Sequence, residues 1–425
     1  MSIQKYFTLM LNPGEAVWKI RKRMPNVIAN RARAISTQVV LKGHKSVKKT
    51  FPNNSTGLHC FEMEMLAHEL FGNRPWMIPL LKRGRRWFAV PYISEEQRLD
   101  KAAAVMREDD LLKVARQAIH ILFEIFLKGY AHCDFHAKNM YWIDGQLVIT
   151  DFETMQYYSE GTRPAFPQSY DLRGECLESP FRTNRMCYTS KESDSLEQVL
   201  GISIEILLSE FVNDLKQNLR DTCKEFKTLR RRHTCRAERI YNSFRLPHFI
   251  VHQSEAQRDS SKRLNRFGLN TKIMKGRTVL DLGCNIGGVL FEAQKYQPAK
   301  CIGIEYDKEK VEIARQITAF SGLHNICFFT GDIEKLTVDE IGGAFDIVFC
   351  FAVEAHIKKK RRLFRTLGKV TKGTLYFEGN SSSDPEIIQK YLKDNGFKDV
   401  NFLGFSNDDC IADNNCRPLF LAHSY

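Results

Sequence analysis

Short apolar runs alternate with helix-spaced apolar positions along the last third of the chain, a rhythm that predicts strands alternating with helices. The runs fall at residues 278–282, 301–305, 326–330, 345–351 and 374–378, and Ile313, Ile317 and Phe320 repeat at helical spacing between the second and the third. Strands covered on both faces read as continuous apolar stretches, so the pattern implies an α/β, doubly wound, mainly parallel sheet of Rossmann-like type. The first half has another rhythm. Strand-like runs at 37–41, 46–51 and 87–92 surround a helical run at 61–71, which predicts a small mixed lobe. A long helix follows, with Leu111, Ala115, Ala118, Leu122 and Phe126 on one face. The stretch after it, at 213–242, is polar, basic and helix-prone, and the expected division is 1–212, a basic helical connector at 213–262, and 263–425.

A chain of 425 residues exceeds the ~250 to 300 that one hydrophobic core organises, which agrees with two domains. Its net charge of +13 favours an acidic partner: nucleic acid, a membrane surface or a phosphorylated substrate. The charge gathers at 42–49, 224–239 and 358–362, and each run alone is equally a solvated face. The twelve cysteines are scattered singly with no C-x-x-C pair, so zinc-site and disulfide frameworks are set aside and a reducing cytosol is expected. Residues 1–19 lack the apolar core of a secretory signal. The longest apolar stretch, 119–127, is broken by Glu124 and falls far short of the ~20 residues that span a bilayer.

Chemistry concentrates first where the run at 278–282 meets glycines, in Val279-Leu280-Asp281-Leu282-Gly283-Cys284-Asn285-Ile286-Gly287-Gly288. Glycines at a strand-to-helix turn let the backbone approach a ligand closely, as Rossmann dinucleotide sites also do. The acidic residues sharpen this. Asp281 precedes the first glycine, Glu305 ends the next strand in Gly303-Ile304-Glu305-Tyr306-Asp307, and Asp332 ends the third in Gly331-Asp332-Ile333. A carboxylate in each place can accept, in turn, from an amino group, a pair of ribose hydroxyls and an adenine amino group. These residues resemble motifs I, II and III of class I methyltransferases, and the resemblance implies S-adenosylmethionine as cofactor, held by Asp281, Gly283, Asn285, Gly287, Glu305 and Asp332. The asparagine at 285, where many such enzymes have glycine, is similar to a subset acting on RNA ends, tRNA or phosphorylated glycans. Val353-Glu354-Ala355-His356 resembles the substrate-side motif, which makes His356 a base, a substrate contact or an ordinary half-buried histidine.

A second concentration lies in the first half. His132-Cys133-Asp134-Phe135-His136-Ala137-Lys138-Asn139 contains H-x-D-x-x-x-x-N, and Asp151-Phe152-Glu153 follows. Phosphoryl transfer needs an aspartate to orient the acceptor hydroxyl, with an asparagine and a second aspartate to hold magnesium. Asp134, Asn139 and Asp151 suit these roles in that order. Upstream, Lys49 or Lys48 is the candidate phosphate lysine and Glu64 its helix partner; alternation turns only one lysine inward, and Lys49 is preferred. The segment resembles the protein-kinase-like superfamily, specifically its small-molecule and lipopolysaccharide branch, in which a histidine follows the aspartate by two residues as His136 does. The resemblance implies a bilobal α+β fold, ATP and Mg2+. No G-x-G-x-x-G loop and no A-P-E segment is present, which argues against a protein substrate and leaves a pseudokinase open.

Together the halves resemble the bifunctional kinase-methyltransferases that cap bacterial O-antigen polysaccharides, with the domain order reversed. That resemblance implies phosphorylation of a terminal sugar and methylation of the new phosphate, with the chain cytoplasmic and peripheral at the inner membrane face where the acceptor is lipid-linked. Cations at 358–362, or Arg417, are candidate phosphate contacts. The alternative is an RNA-modifying methyltransferase whose basic first half binds nucleic acid.

Overall fold

The alternating run at 46–50 is the second strand of a four-stranded antiparallel sheet, ordered β1-β2-β4-β3, made of β1 (Thr37–Val40), β2 (Ser46–Thr50), β3 (Lys82–Arg83) and β4 (Trp87–Pro91). The computed structural model describes residues 37–40, 46–159, 161–173, 195–227, 232–234 and 239–424. The expectations for residues 1–19, for basic positions 42–45 and for most of the run at 228–238 lie outside these. Helix α1 (Ser55–Phe71) follows β2 and is capped by Asn54, whose side chain accepts from the Gly57 N–H at 2.7 Å. Cys60, Glu64, Ala67 and Phe71 form its buried stripe, so one charged residue sits among apolar ones. Helix α2 (Glu108–Leu127) carries Glu108, Asp109 and Asp110 in its first turn, where they suit the helix dipole, and buries Ala115, Ala118, Leu122 and Phe126. Short antiparallel pairs complete this half: β5 (Tyr130–Ala131) with β8 (Gln156–Tyr157), and β6 (Met140–Ile143) with β7 (Gln146–Ile149).

The chain divides into two compact units between Phe211 and Val212, inside helix α3 (Ile204–Lys224). The expected helical connector at 213–262 needs correcting, because helix continues only to Lys224. Beyond it, β9 (Glu225–Lys227) pairs with β10 (Arg232–Thr234), and β11 (Ile240–Leu246), β12 (Phe249–Val251) and β13 (Ala256–Asp259) form a separate three-stranded sheet ordered β12-β11-β13. On β11 the buried face carries Ile240, Phe244 and Leu246 but is interrupted by the polar Asn242, and the strand follows directly on the basic run, which obscured it in sequence. Phe244 packs on Phe291 with ring centroids 5.0 Å apart, which makes this sheet part of the second unit's core.

That core surrounds one seven-stranded sheet ordered β16-β15-β14-β17-β18-β20-β19. Helix α4 (Ser260–Arg266) leads to β14 (Thr278–Leu282), α5 (Gly288–Ala293), β15 (Lys300–Glu305), α6 (Lys308–Phe320), β16 (Ile326–Thr330), β17 (Phe345–Phe351), α7 (Lys360–Val370) and β18 (Thr371–Glu378). The five strands among these are mutually parallel, and β20 (Arg417–Ser424) runs antiparallel to both of its neighbours, β18 and β19 (Phe397–Ser406), the latter preceded by α8 (Pro385–Asp394). Leu280, Ile304, Val348, Leu375 and Phe377 are buried within the sheet, as continuous apolar runs require. Parallel strands end on the same edge, so Asp281, Glu305 and the segment after β17 come together there.

Candidate functional site

The turn after β14 depends on backbone freedom. Gly283 and Gly287 have φ of 80° and 81°, and Asn285 holds 53° in the same left-handed region. A Cβ on Gly283 would stand 2.4 Å from a methyl of Val353, so the turn lies against the segment after β17 with no room to spare. Glu305 fixes the turn to the second strand: its Oε2 accepts from the Asn285 N–H at 2.9 Å, while Oε1 accepts from the Asp307 N–H at 3.0 Å. These four features enclose one side of a cleft of about 940 Å³. Asp281, Gly283, Asn285, Glu305, Asp332 and His356 all line it, whereas Gly287 is not among the lining residues and stands against the Phe328 ring.

The cleft is acidic at its base. Asp281 is 2% exposed, and burial together with the neighbouring charge of Glu305 pushes its carboxyl up to about 8. Asp332 accepts from the Glu334 N–H at 3.0 Å through one oxygen and meets Lys335 at 3.0 Å through the other. Three further residues line the cleft from positions before the glycine turn: Tyr241 and Asn242 on β11, and Arg263 on α4. Sequence reasoning missed them, although the two-residue alternation at 240–246 marks β11 as a strand. Arg263 is engaged by Glu378, with Nε donating to Oε2 and Nη2 to Oε1, both at 2.8 Å. Its guanidinium carbon lies 4.9 Å from the Phe351 ring centroid.

Of the two suggested phosphate contacts, Arg417 departs from expectation and the run at 358–362 follows its solvated-face reading. Arg417 is buried, lying 3.5 Å from Glu378 and 3.3 Å from Asp409, so its charge is already engaged. Positions 358–361 are exposed at the start of α7, where Lys360 pairs with Glu354 at 3.0 Å; this run is a solvated face.

The first unit assembles a separate cluster. Lys49 is 4% exposed and Glu64 2%, and Lys49 Nζ donates to Glu64 Oε1 at 2.6 Å. The same ammonium donates to Asp151 and lies 3.0 Å from Glu153. Burial opposes the charged lysine, but these three carboxylates outweigh it and hold its pKa well above the usual value. Burial dominates at Glu64, raising it to about 7 despite the lysine. Lys48 points elsewhere, over the Trp87 ring at 4.6 Å, so of the two lysine candidates only Lys49 joins the cluster.

Asn139 Nδ2 donates to both the backbone carbonyl and Oδ2 of Asp134, each at 3.0 Å. Asp134 Oδ1 is 3.6 Å from His136 Nε2. Burial would raise the Asp134 carboxyl, but His136 and Asn139 hold it below the ordinary value, and it stays ionised. Cys133 and Asp151 have φ of 65° and 66°, left-handed conformations that only a well-determined surrounding maintains. Asp171 supplies part of it by accepting from the His132 and Cys133 N–H groups at 2.8 and 2.7 Å, and Phe152 adds more by packing 4.6 Å from the His132 ring. No local pattern announces Asp171, which is 38 residues from Cys133.

Residues 273–402 match the sequence profile of the family described as a methyltransferase domain. The chain carries a class I, S-adenosylmethionine-dependent methyltransferase domain. Over 97 residues it is 33% identical to ajmaline N-methyltransferase of Rauvolfia serpentina, covering 23% of this chain and 33% of that one. Over 117 residues it is 28% identical to the ubiquinone biosynthesis O-methyltransferase of Erwinia tasmaniensis, covering 27% and 47%. The chain thus spans about a third to a half of the length of these curated relatives. Among solved structures, magnesium protoporphyrin IX methyltransferase of Synechocystis PCC 6803 with bound S-adenosylmethionine is similar at 18% identity, with a TM-score of 0.33 and coverage of 39% and 78%. The matched part of the methyltransferase domain contains the glycine turn and all three acidic strand ends, whereas Tyr241, Asn242 and Arg263 precede it.

Proposed function

We propose that the protein methylates an acceptor with S-adenosylmethionine and that its first half phosphorylates the same acceptor beforehand, on a hydroxyl of a terminal sugar. The acidic cleft carries the first part of this reading. Carboxylates at three strand ends suit a ligand rich in donors: Asp281 takes the amino group, Glu305 the ribose hydroxyls and Asp332 the adenine amino group. The tight turn at Gly283, Asn285 and Gly287 lets the backbone meet that ligand closely. When bound, S-adenosylmethionine supplies a methyl group activated by a sulfonium. His356 lines the acceptor side of the cleft as a contact or a base.

The second part draws on the buried Lys49–Glu64 pair facing Asp151. In a kinase-like reading Lys49, held by Glu64, contacts the phosphates of ATP, Asn139 and Asp151 hold Mg2+, and Asp134 orients the hydroxyl. Carboxylate oxygens of Glu64, Asp151 and Glu153 lie within 4.8 Å of one another around a single lysine, a surplus of negative charge that suits a divalent cation. Phosphorylation first is chemically economical, because a phosphate monoester is already an anionic nucleophile and asks the methyltransferase domain only for positioning. Glu153 favours a second reading, a nucleotide sensor without transfer, since its carboxylate occupies the lysine that a triphosphate needs.

The test follows labelled methyl from S-adenosylmethionine into a glycan acceptor, with and without ATP, in wild type and Asp134→Asn. Label is expected only with ATP and only in wild type, and chemically phosphorylated acceptor restores it to the variant. Equal label without ATP refutes the coupled order, and nucleotide binding with no transfer to any hydroxyl acceptor decides for the sensor.

A further inference from the structure

The side-chain amide nitrogen of Asn242 has nothing to bind inside the protein. The residue is 1% exposed, its Nδ2 has no hydrogen-bond partner, and it lines the methyl-donor cleft. A buried amide left unsatisfied costs roughly 1 to 3 kcal/mol, so a donor kept in that state beside a binding cleft calls for a ligand atom. Its place is tightly set. A Cβ on Gly288 would stand 2.5 Å from the Asn242 Cβ and 3.4 Å from the Phe244 ring, so β11 presses directly against the first residue of α5.

The other polar groups of the cleft narrow the choice of ligand atom. Asp281, Glu305, Asp307 and Asp332 are all acceptors and suit the amino, hydroxyl and ammonium groups of a methyl donor. Once ionised to meet those groups, none can receive the carboxylate that the methionine portion also carries, and close to them that carboxylate would be repelled. Lys310 belongs to the helix after Glu305, 3.8 Å from Asp307, which places it toward the ribose end. Arg263 commits both Nε and Nη2 to Glu378. Asn242, by contrast, stands against Gly288, where the glycine turn that follows Asp281 enters α5, and it lines the same cleft as Asp281.

We infer that Asn242 Nδ2 donates a hydrogen bond to the methionine carboxylate of the methyl donor, so that the donor site extends beyond the matched domain into the three-stranded sheet at 240–259. This rests on the methyltransferase reading above. Asn242 is a binding residue here, with no part in the chemistry of transfer.

The test pairs a change in the protein with a change in the ligand. Affinities of S-adenosylhomocysteine, S-adenosylmethionine and decarboxylated S-adenosylmethionine are measured by calorimetry and by displacement on the full chain, for wild type, Asn242→Ala and Asn242→Asp. The two carboxylate-bearing ligands are expected to weaken about tenfold with alanine, as for one lost hydrogen bond of ~1.4 kcal/mol, and further with aspartate. Decarboxylated donor should bind wild type and both variants alike within twofold. Equal weakening of all three ligands, or no weakening of any, overturns the assignment. Should both variants fail to fold, wild type alone still decides, because equal affinity for S-adenosylmethionine and its decarboxylated form overturns it too. Wild type that binds neither S-adenosylmethionine nor S-adenosylhomocysteine removes the methyltransferase reading itself, a result distinct from intact binding that ignores Asn242.

Discussion

The two candidate sites treat buried carboxylates in opposite ways. Asp281 lies at the base of the methyl-donor cleft beside another carboxylate, and it rises to about 8. Glu64 is as deeply buried but has the Lys49 ammonium 2.6 Å away. The first site holds no cation of its own, so Asp281 keeps a proton until a ligand's ammonium takes its place. The second carries its own cation but surrounds it with three carboxylates, so negative charge remains in excess there and a metal ion suits it. The same residue type, buried to the same depth, is held in different ways because only one site contains its own counterion.

Removing that counterion gives the largest expected effect. Lys49→Met strands three carboxylates and should lower the stability of the first unit by about 3 to 5 kcal/mol, measured by denaturant unfolding, whereas Lys48→Met should change little. A Lys49→Met protein as stable as wild type would mean that the cluster is hydrated and its burial irrelevant. An intermediate effect is expected at the other site. Glu305→Ala should weaken S-adenosylhomocysteine by about 1 to 3 kcal/mol through lost ribose hydrogen bonds, read by calorimetry, and unchanged affinity would take Glu305 out of the site.

The smallest effect separates the sites by pH. With its pKa raised to about 8, Asp281 is protonated in the ligand-free protein at neutral pH and must lose the proton to meet an ammonium. Affinity for S-adenosylhomocysteine should therefore fall on acidification below pH 8, by at most tenfold per unit, or ~1.4 kcal/mol, and binding at pH 7 should release protons. Because the folded carboxyl binds its proton more tightly than the unfolded one, the ligand-free unit should lose stability as pH rises from the ordinary carboxylate range to about 8. Asp281→Asn should abolish both trends, and trends that persist in this variant would belong to another group.

Legibility in the sequence follows contact range. The parallel strands and their acidic ends were readable because each is a local run with its functional residue at a fixed place, and the periodic face of α2 was readable for the same reason. The choice between Lys48 and Lys49 was not closed by alternation alone; the packing of β2 on α1 decides it. Unreadable features join distant residues: Asp171 on the backbone of His132, Glu153 on Lys49, and Asn242 against Gly288. Arg417 misled as an anion contact because nothing nearby in sequence announces Glu378, 39 residues before it.

That arginine belongs to a buried arrangement in which Glu378 receives Arg258 at 2.7 Å, Arg263 at 2.8 Å and Arg417 at 3.5 Å, while Arg258 also meets Asp408 at 2.5 Å. Arg258 and Asp408 are 150 residues apart. A ribosome therefore completes the strands at 240–259 long before it makes the acids and the arginine that balance their buried charge. An Arg258 sequestered early would lack part of its compensation, so the stable docking of this segment waits for the last strand. The methyl-donor cleft, one wall of which is β11, is accordingly a late product of synthesis, and the nascent chain should acquire its ligand only once β20 has left the exit tunnel.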